Sequence, residues 1–199
     1  MRSMLAALAL ATITAGPGSA QTSWGIAMEI GIERFWGASG PLVGSDQLAL
    51  RPYRPTRFGI RIDRRQGGIS LALSLAYADS PIGAEYEGGA TVFAEGFTLI
   101  ELAPEVASRL ARLGAGGLLG VFAGPVLRFW IPPEESIRTR AGARGGIQLE
   151  AALGSRVSLV TRAHAGIAPS AFEEADVPTG YEVRAMPSAG VALGIRVGL

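Results

Sequence analysis

The chain has 199 residues with 28 Gly, 12 Pro and no Cys, and charged side chains make up 18% of it. A thiolate metal centre, a cysteine nucleophile and a disulfide framework are therefore excluded, and a formal net charge of +1 gives no electrostatic drive toward nucleic acid. Mean hydropathy is +0.30, yet past residue 20 no apolar run reaches the roughly 20 residues of a membrane-spanning helix, and glycine at about twice its usual share argues against a helical bundle.

The elements begin with an export segment. Arg2, the apolar Met4 to Ile13, a Gly16-Pro17-Gly18 break and the small residues Gly18-Ser19-Ala20 predict a signal peptide over residues 1–20. Its apolar stretch is too short for an anchor helix. Residues 21–199 then form one exported domain, and without Arg2 the 18 basic side chains become 17, equal to the 17 acidic ones.

The exported part alternates with period two, the mark of strands with two unlike faces. Strand one sets Trp24, Ile26, Met28, Ile30 and Ile32 against Gly25, Ala27, Glu29, Gly31 and Glu33. Phe58, Ile60 and Ile62 then oppose Arg57, Gly59, Arg61 and Asp63, and Ile69 to Tyr77 alternates aliphatic residues with Ser and Ala. A fourth strand near Phe97 to Leu110 puts Glu101, Glu105 and Arg109 on its polar face, and a fifth, Leu119 to Ile131, puts Arg128 there. Arg138 to Leu153 offers Arg140, Arg144, Gln148 and Glu150; Val157 to Ile167 offers Ser158, Arg162 and His164; the last, Ser188 to Leu199, offers Arg196 among glycines.

Short turns join strands two to three, four to five and six to seven. Longer links run over Gly37 to Pro55, Asp79 to Ala90, Pro132 to Ile137 and Pro169 to Met186. That parity predicts an all-β, eight-stranded antiparallel up-and-down transmembrane barrel with both termini on the short-turn side. Strands of roughly 9–11 residues suit a tilted crossing. A soluble lipocalin-like ligand-binding barrel is the alternative, but its wetted outer face favours Lys, Glu and Thr. Here one face is almost purely aliphatic, and the other mixes small residues with arginine and carboxylates, as a narrow lumen requires. Trp24, Trp36, Phe129 and Trp130 bracket strands as interfacial aromatics do.

The ending Leu193-Gly194-Ile195-Arg196-Val197-Gly198-Leu199 is similar to the C-terminal β-signal of bacterial outer-membrane proteins, with Gly194, Val197 and Leu199 in its key positions and Leu199 where Phe is usual. Gly120-Val121-Phe122-Ala123-Gly124-Pro125 resembles the Gly-Pro strand of the outer-membrane β-barrel domain family, and Ile100-Glu101-Leu102-Ala103-Pro104 resembles the strand before it. The resemblance implies insertion by the outer-membrane assembly machinery, periplasmic termini and mobile surface loops, but no specific activity.

Glu29, Glu33, Arg57, Arg61, Asp63, Glu101, Glu105, Arg109, Arg128, Arg140, Arg144, Glu150, Arg162 and Arg196 are the candidates for a lumen ion-pair network, with arginine suited to bidentate pairing. Eight strands leave an interior just wide enough for side chains to fill, which disfavours a pore. His164, the single histidine, raises a catalytic alternative, a lipid-modifying enzyme with Ser158 as nucleophile. Facing inward, His164 would not meet a lipid substrate, so no catalytic residue, metal or cofactor is expected. Acidic clusters at Asp79, Glu85 and Glu87, at Glu134-Glu135, and at Glu173, Glu174 and Asp176 make the loops the place for binding, including cation-bridged contact with lipopolysaccharide. The expectation is a monomeric outer-membrane barrel whose partners are membrane lipids and lipopolysaccharide, without nucleic acid.

Overall fold

The computed structural model describes residues 23–41, 49–86, 89–114, 116–133 and 136–199. The expected signal peptide over 1–20 lies outside them. The chain runs through β1 (Ser23–Phe35), β2 (Ser39–Pro41), β3 (Ala49–Pro52), β4 (Thr56–Gln66), β5 (Ile69–Tyr86), β6 (Gly89–Leu113), β7 (Gly117–Ile131), β8 (Arg138–Ala152), β9 (Val157–Ala168), β10 (Tyr181–Val183) and β11 (Met186–Gly198), with a short 3₁₀ turn at Glu174–Asp176.

Eight of these strands close into an antiparallel barrel in the order β5-β4-β1-β11-β9-β8-β7-β6, sealed by the β5–β6 pairing. The first and last strands meet in an unbroken register from Gly25 opposite Gly198 to Phe35 opposite Ser188. Closure leaves no edge with unpaired backbone groups, the condition for β-structure in lipid.

The period-two pattern decides which way each face turns. Met28 and Leu71 are 69% and 58% exposed, whereas Arg61 and Arg128 are 2% and 0% exposed. Large aliphatic residues thus cover the outside, and charged residues fill the inside. A soluble ligand-binding barrel needs the opposite arrangement, and an apolar exterior of this extent marks a surface that water does not cover.

Pro104 and Pro125 interrupt the β6–β7 ladder: pairing stops at Leu102 opposite Leu127 and resumes at Val106 opposite Ala123, because proline has no N–H to donate. At Gly124 a Cβ would lie 2.0 Å from the carbonyl oxygen of Pro104, so glycine lets the strands close at this defect.

The link expected over Asp79 to Ala90 is instead a continuation of strand. β5 and β6 rise beyond the barrel as a hairpin to Tyr86 and Gly89, with a register shift between Pro81 and Gly83. That irregularity accommodates the residues that read as breakers, and β3 joins the raised hairpin through Ala49 opposite Glu85 to Pro52 opposite Ile82. The other long links also hold structure, since β2 and β10 pair as a small sheet at the same end.

Candidate functional site

Inside the barrel the charged side chains stack in tiers between the two ends. Nearest the short turns, Arg196 donates to both oxygens of Asp63 at 2.8 and 2.9 Å, and Arg65 reaches Asp63 at 2.8 Å. Arg65 also forks onto Glu150 at 2.7 and 3.2 Å, and the Ser158 hydroxyl donates to Glu150 at 2.6 Å.

In the middle tier, Arg61 donates to Glu29 at 2.9 Å, while Arg162 bridges Glu29 at 3.3 Å and Glu105 at 2.7 Å. The Arg162 guanidinium lies 3.8 Å from the Phe122 ring centroid, so its flat face is covered too. Arg144 holds Glu105 at 2.6 Å and also bonds Glu101. In the tier above, Glu101 accepts from Arg128 at 2.9 Å and Arg57 at 2.5 Å. Arg128 crosses to Glu33 at 2.9 Å and to the Ser188 hydroxyl at 3.0 Å. His164 Nε2 stands 3.7 Å from Glu33 Oε1.

Arginine suits such a lattice because one planar fork can serve two carboxylates. Partly open pockets of about 30 and 20 Å³ remain, each on the scale of one water.

Above the ionic tiers the interior changes character. Phe35, Phe97, Leu99, Trp130, Phe172 and Met186 form a buried apolar cluster. Phe35 and Phe97 meet the Trp130 ring edge-on at 5.5 and 5.8 Å, and Phe172 meets Phe97 at 5.3 Å. The arm between β9 and β11 brings Phe172 in. Ser170 Oγ donates to the Ala38 carbonyl at 2.7 Å, and Arg138 bonds Asp176 and the Ala171 carbonyl, the latter at 3.1 Å. The barrel is therefore filled by charge below and stoppered by aromatic residues at the long-link end.

Three predicted positions are corrected. Trp130, expected at the outer surface, is 0% exposed and central to this stopper, while its neighbour Phe129 faces out, half-buried. Arg109 is exposed at the turn end and donates to the Gly67 carbonyl at 3.4 Å, because a bulge between Arg109 and Ala111 displaces it from the lattice. Arg140 sits at the opposite mouth, bonded to the Ser170 carbonyl at 2.7 Å and to Glu173 at 3.2 Å. The lattice members that sequence reasoning passed over are Arg65 and His164. Arg65 follows Arg64 at a strand end, where two adjacent arginines conceal which one turns inward; His164 turns inward as its register predicts and meets Glu33 across the interior.

Trp24 is 49% exposed on the outer face with Arg64 at 5.9 Å, and Trp36 lies at the other end with Arg34 at 5.3 Å. Gly194 is buried where a Cβ would lie 2.5 Å from the Met28 carbonyl oxygen, Val197 faces outward, and the Leu199 amide donates to the Trp24 carbonyl at 2.9 Å.

The catalytic alternative loses its geometry. The Ser158 hydroxyl is engaged by Glu150 in the tier nearest the turns, whereas His164 sits beside Glu33 in the uppermost one. Most of the described loop carboxylates are also engaged: Asp176 by Arg138, Glu173 by Arg140, and Asp79 by the Tyr77 and Thr98 hydroxyls at 2.7 and 3.0 Å, whereas Glu174 is exposed and outside these pairs. Glu87, Glu134 and Glu135 lie outside the described residues, as does the Glu85 side chain.

No protein-family model matches the sequence, and no curated protein matches it. Solved structures do. Neisserial surface protein A is similar with a TM-score of 0.61 at 12% identity, covering 89% of this chain and 98% of its own. Outer membrane protein AlkL, determined by solid-state NMR in DMPC bilayers, has a TM-score of 0.61 at 12% identity and covers 94% of both chains. The chain thus has the fold of the small eight-stranded β-barrels of outer membranes.

Proposed function

We propose that this chain is a monomeric outer-membrane barrel, exported and inserted with its short turns toward the periplasm, that acts without catalysis as a structural and surface-interaction protein. The observation that carries this reading is the inversion of faces: aliphatic residues such as Met28, Ile60 and Leu75 are outward and half or more exposed, with paired charges inside.

A filled and stoppered lumen favours anchoring over conduction, since eight strands leave no room for both side chains and a water column. Interaction then falls to the raised β5–β6 hairpin, the β2–β10 sheet and the arm between β9 and β11. Lipids and lipopolysaccharide are the partners that such an exterior and rim would meet. Gly194, Val197 and Leu199, on the strand that closes the barrel, are the residues offered to the assembly machinery.

The test combines fractionation with heat-modifiable migration. The full chain should stay with outer membranes through salt and carbonate washes, and it should migrate faster unheated than boiled. Release without detergent, or a single mobility, would refute the barrel-in-membrane reading. His164→Ala should leave lipid A acylation unchanged; an altered acyl pattern would favour the enzymatic alternative.

A further inference from the structure

The two ends of the molecule differ in charge. Exposed carboxylates such as Glu173, Glu174 and Glu182 belong to the long-link end. At the turn end the acids Asp63 and Glu150 are buried and held by Arg65 and Arg196. The exposed residues there include Arg64, Arg109, Arg112 and Arg156. Among the described residues none of these four is bonded to a carboxylate, and no exposed Asp or Glu lies on the three short turns.

Arg64 has the most informative surroundings. It faces outward in a cross-strand row from Trp24 through Arg64 to Leu71, between an indole 5.9 Å from its guanidinium and an exposed leucine. A permanently charged group on an apolar exterior, without an acidic neighbour, must direct its head toward the nearest anion while its stem lies along the wall. Two residues from the end of β4, it stands within roughly 7 Å of the turn at about 3.3 Å per residue, which is headgroup depth rather than acyl depth. The other three arginines share this end: Arg109 and Arg112 are exposed at the close of β6, and Arg156 is exposed in the turn before β9.

Cations placed where an apolar belt stops match the phosphates of a lipid layer, most strongly those whose charge no ammonium of the same headgroup offsets. From this we infer that the turn-end rim, centred on Arg64 and Trp24, is a docking surface for anionic phospholipid headgroups such as phosphatidylglycerol in the adjoining leaflet. The inference rests on the membrane reading above and deepens it by assigning a lipid class to one end.

Electron spin resonance of the full chain in phosphatidylcholine vesicles tests it, with spin-labelled phosphatidylglycerol or phosphatidylcholine as the probe. Motionally restricted phosphatidylglycerol should be favoured about threefold at low salt, a size fitting a few headgroup-level arginines, and the preference should fall toward unity in 1 M salt. The variant R64Q/R109Q/R112Q/R156Q should lose the preference while still restricting phosphatidylcholine and keeping its heat-modifiable mobility. Arg64→Lys should retain most of it. The inference is overturned by equal restriction of both lipids, or by a preference that survives in the fourfold variant and vanishes in R34Q/R54Q at the other rim. It is equally overturned if the rim instead sediments the chain with purified peptidoglycan in an arginine-dependent way and shows no lipid preference. Absence of any restricted lipid would instead strike the membrane reading itself, so the two failures are distinct.

Discussion

Arg128 shows what a buried guanidinium does in this barrel. It joins Glu33, Glu101 and Ser188 from three different strands and lies 5.1 Å from the Phe35 ring centroid, so it links the uppermost ionic tier to the aromatic stopper. Breaking a buried pair by removing one partner costs on the order of 3–5 kcal/mol, because the other charge stays behind. Arg128→Ala should therefore destabilise the barrel by about 3 kcal/mol, with Arg57 and Arg144 left to hold the acids. Urea unfolding in detergent micelles, followed by the folded-to-unfolded mobility shift, measures it. Arg184→Ala is the contrasting case. Its pair with Glu182 at 2.7 Å is about half exposed on both sides, and the loss should stay below about 1 kcal/mol.

At the scale of elements, Arg138 ties down the arm over residues 169–185, bonding both Asp176 oxygens and the Ala171 carbonyl. Phe172 seats the same arm against Phe97. Asp176→Ala should loosen the arm without opening the barrel. Limited proteolysis within 169–185 should speed up about tenfold, equivalent to roughly 1.4 kcal/mol of lost restraint within the range for a charged hydrogen bond, while the heat-modifiable mobility persists. Unchanged cleavage would show that the arm is secured without Asp176.

The eight barrel strands were legible in the sequence because lipid outside and charge inside impose two chemistries on alternate residues. Met28 beside Glu29 and Ile60 beside Arg61 declare their faces at once. That contrast fades at the long-link end, where the interior also becomes apolar. In Leu99-Ile100 and Phe129-Trp130 both neighbours are hydrophobic, so alternation no longer says which one turns inward, and Trp130 was assigned to the wrong side. The raised β5–β6 hairpin is hidden for another reason: Pro81 and Gly83 read locally as breakers, and only pairing with β6 and with distant β3 reveals a strand. The tier-by-tier partnerships were beyond reach too, since residues more than a hundred positions apart, such as Asp63 and Arg196, meet only once the sheet has closed.

For the whole molecule, the outward aliphatic belt implies depth-dependent tolerance of charge. Leu75 lies midway along the barrel in a row with Ile60 and Leu102, whereas Leu71 neighbours Arg64 near the turns. Leu75→Arg should cost about 2–4 kcal/mol in bilayers and Leu71→Arg about 0–1 kcal/mol, read from unfolding midpoints in vesicles of one composition. Equal penalties at the two depths would contradict a membrane lying across the strands.

The lumenal partnerships also bear on how the barrel comes to exist. Glu29 is reached by Arg162, Glu33 by Arg128, Asp63 by Arg196, Glu105 by Arg162 and Glu150 by Arg65, in every case across strands that are not sheet neighbours. A partly curled sheet can make only the pairs within or between adjacent strands, such as Arg61 with Glu29 and Arg65 with Asp63, and the pairs that cross the interior are completed as the cylinder closes. Joining the chain's two extremities is therefore the event that lets the inside shed its water, so the half-built cylinder has little to hold it together and the finished one little reason to reopen.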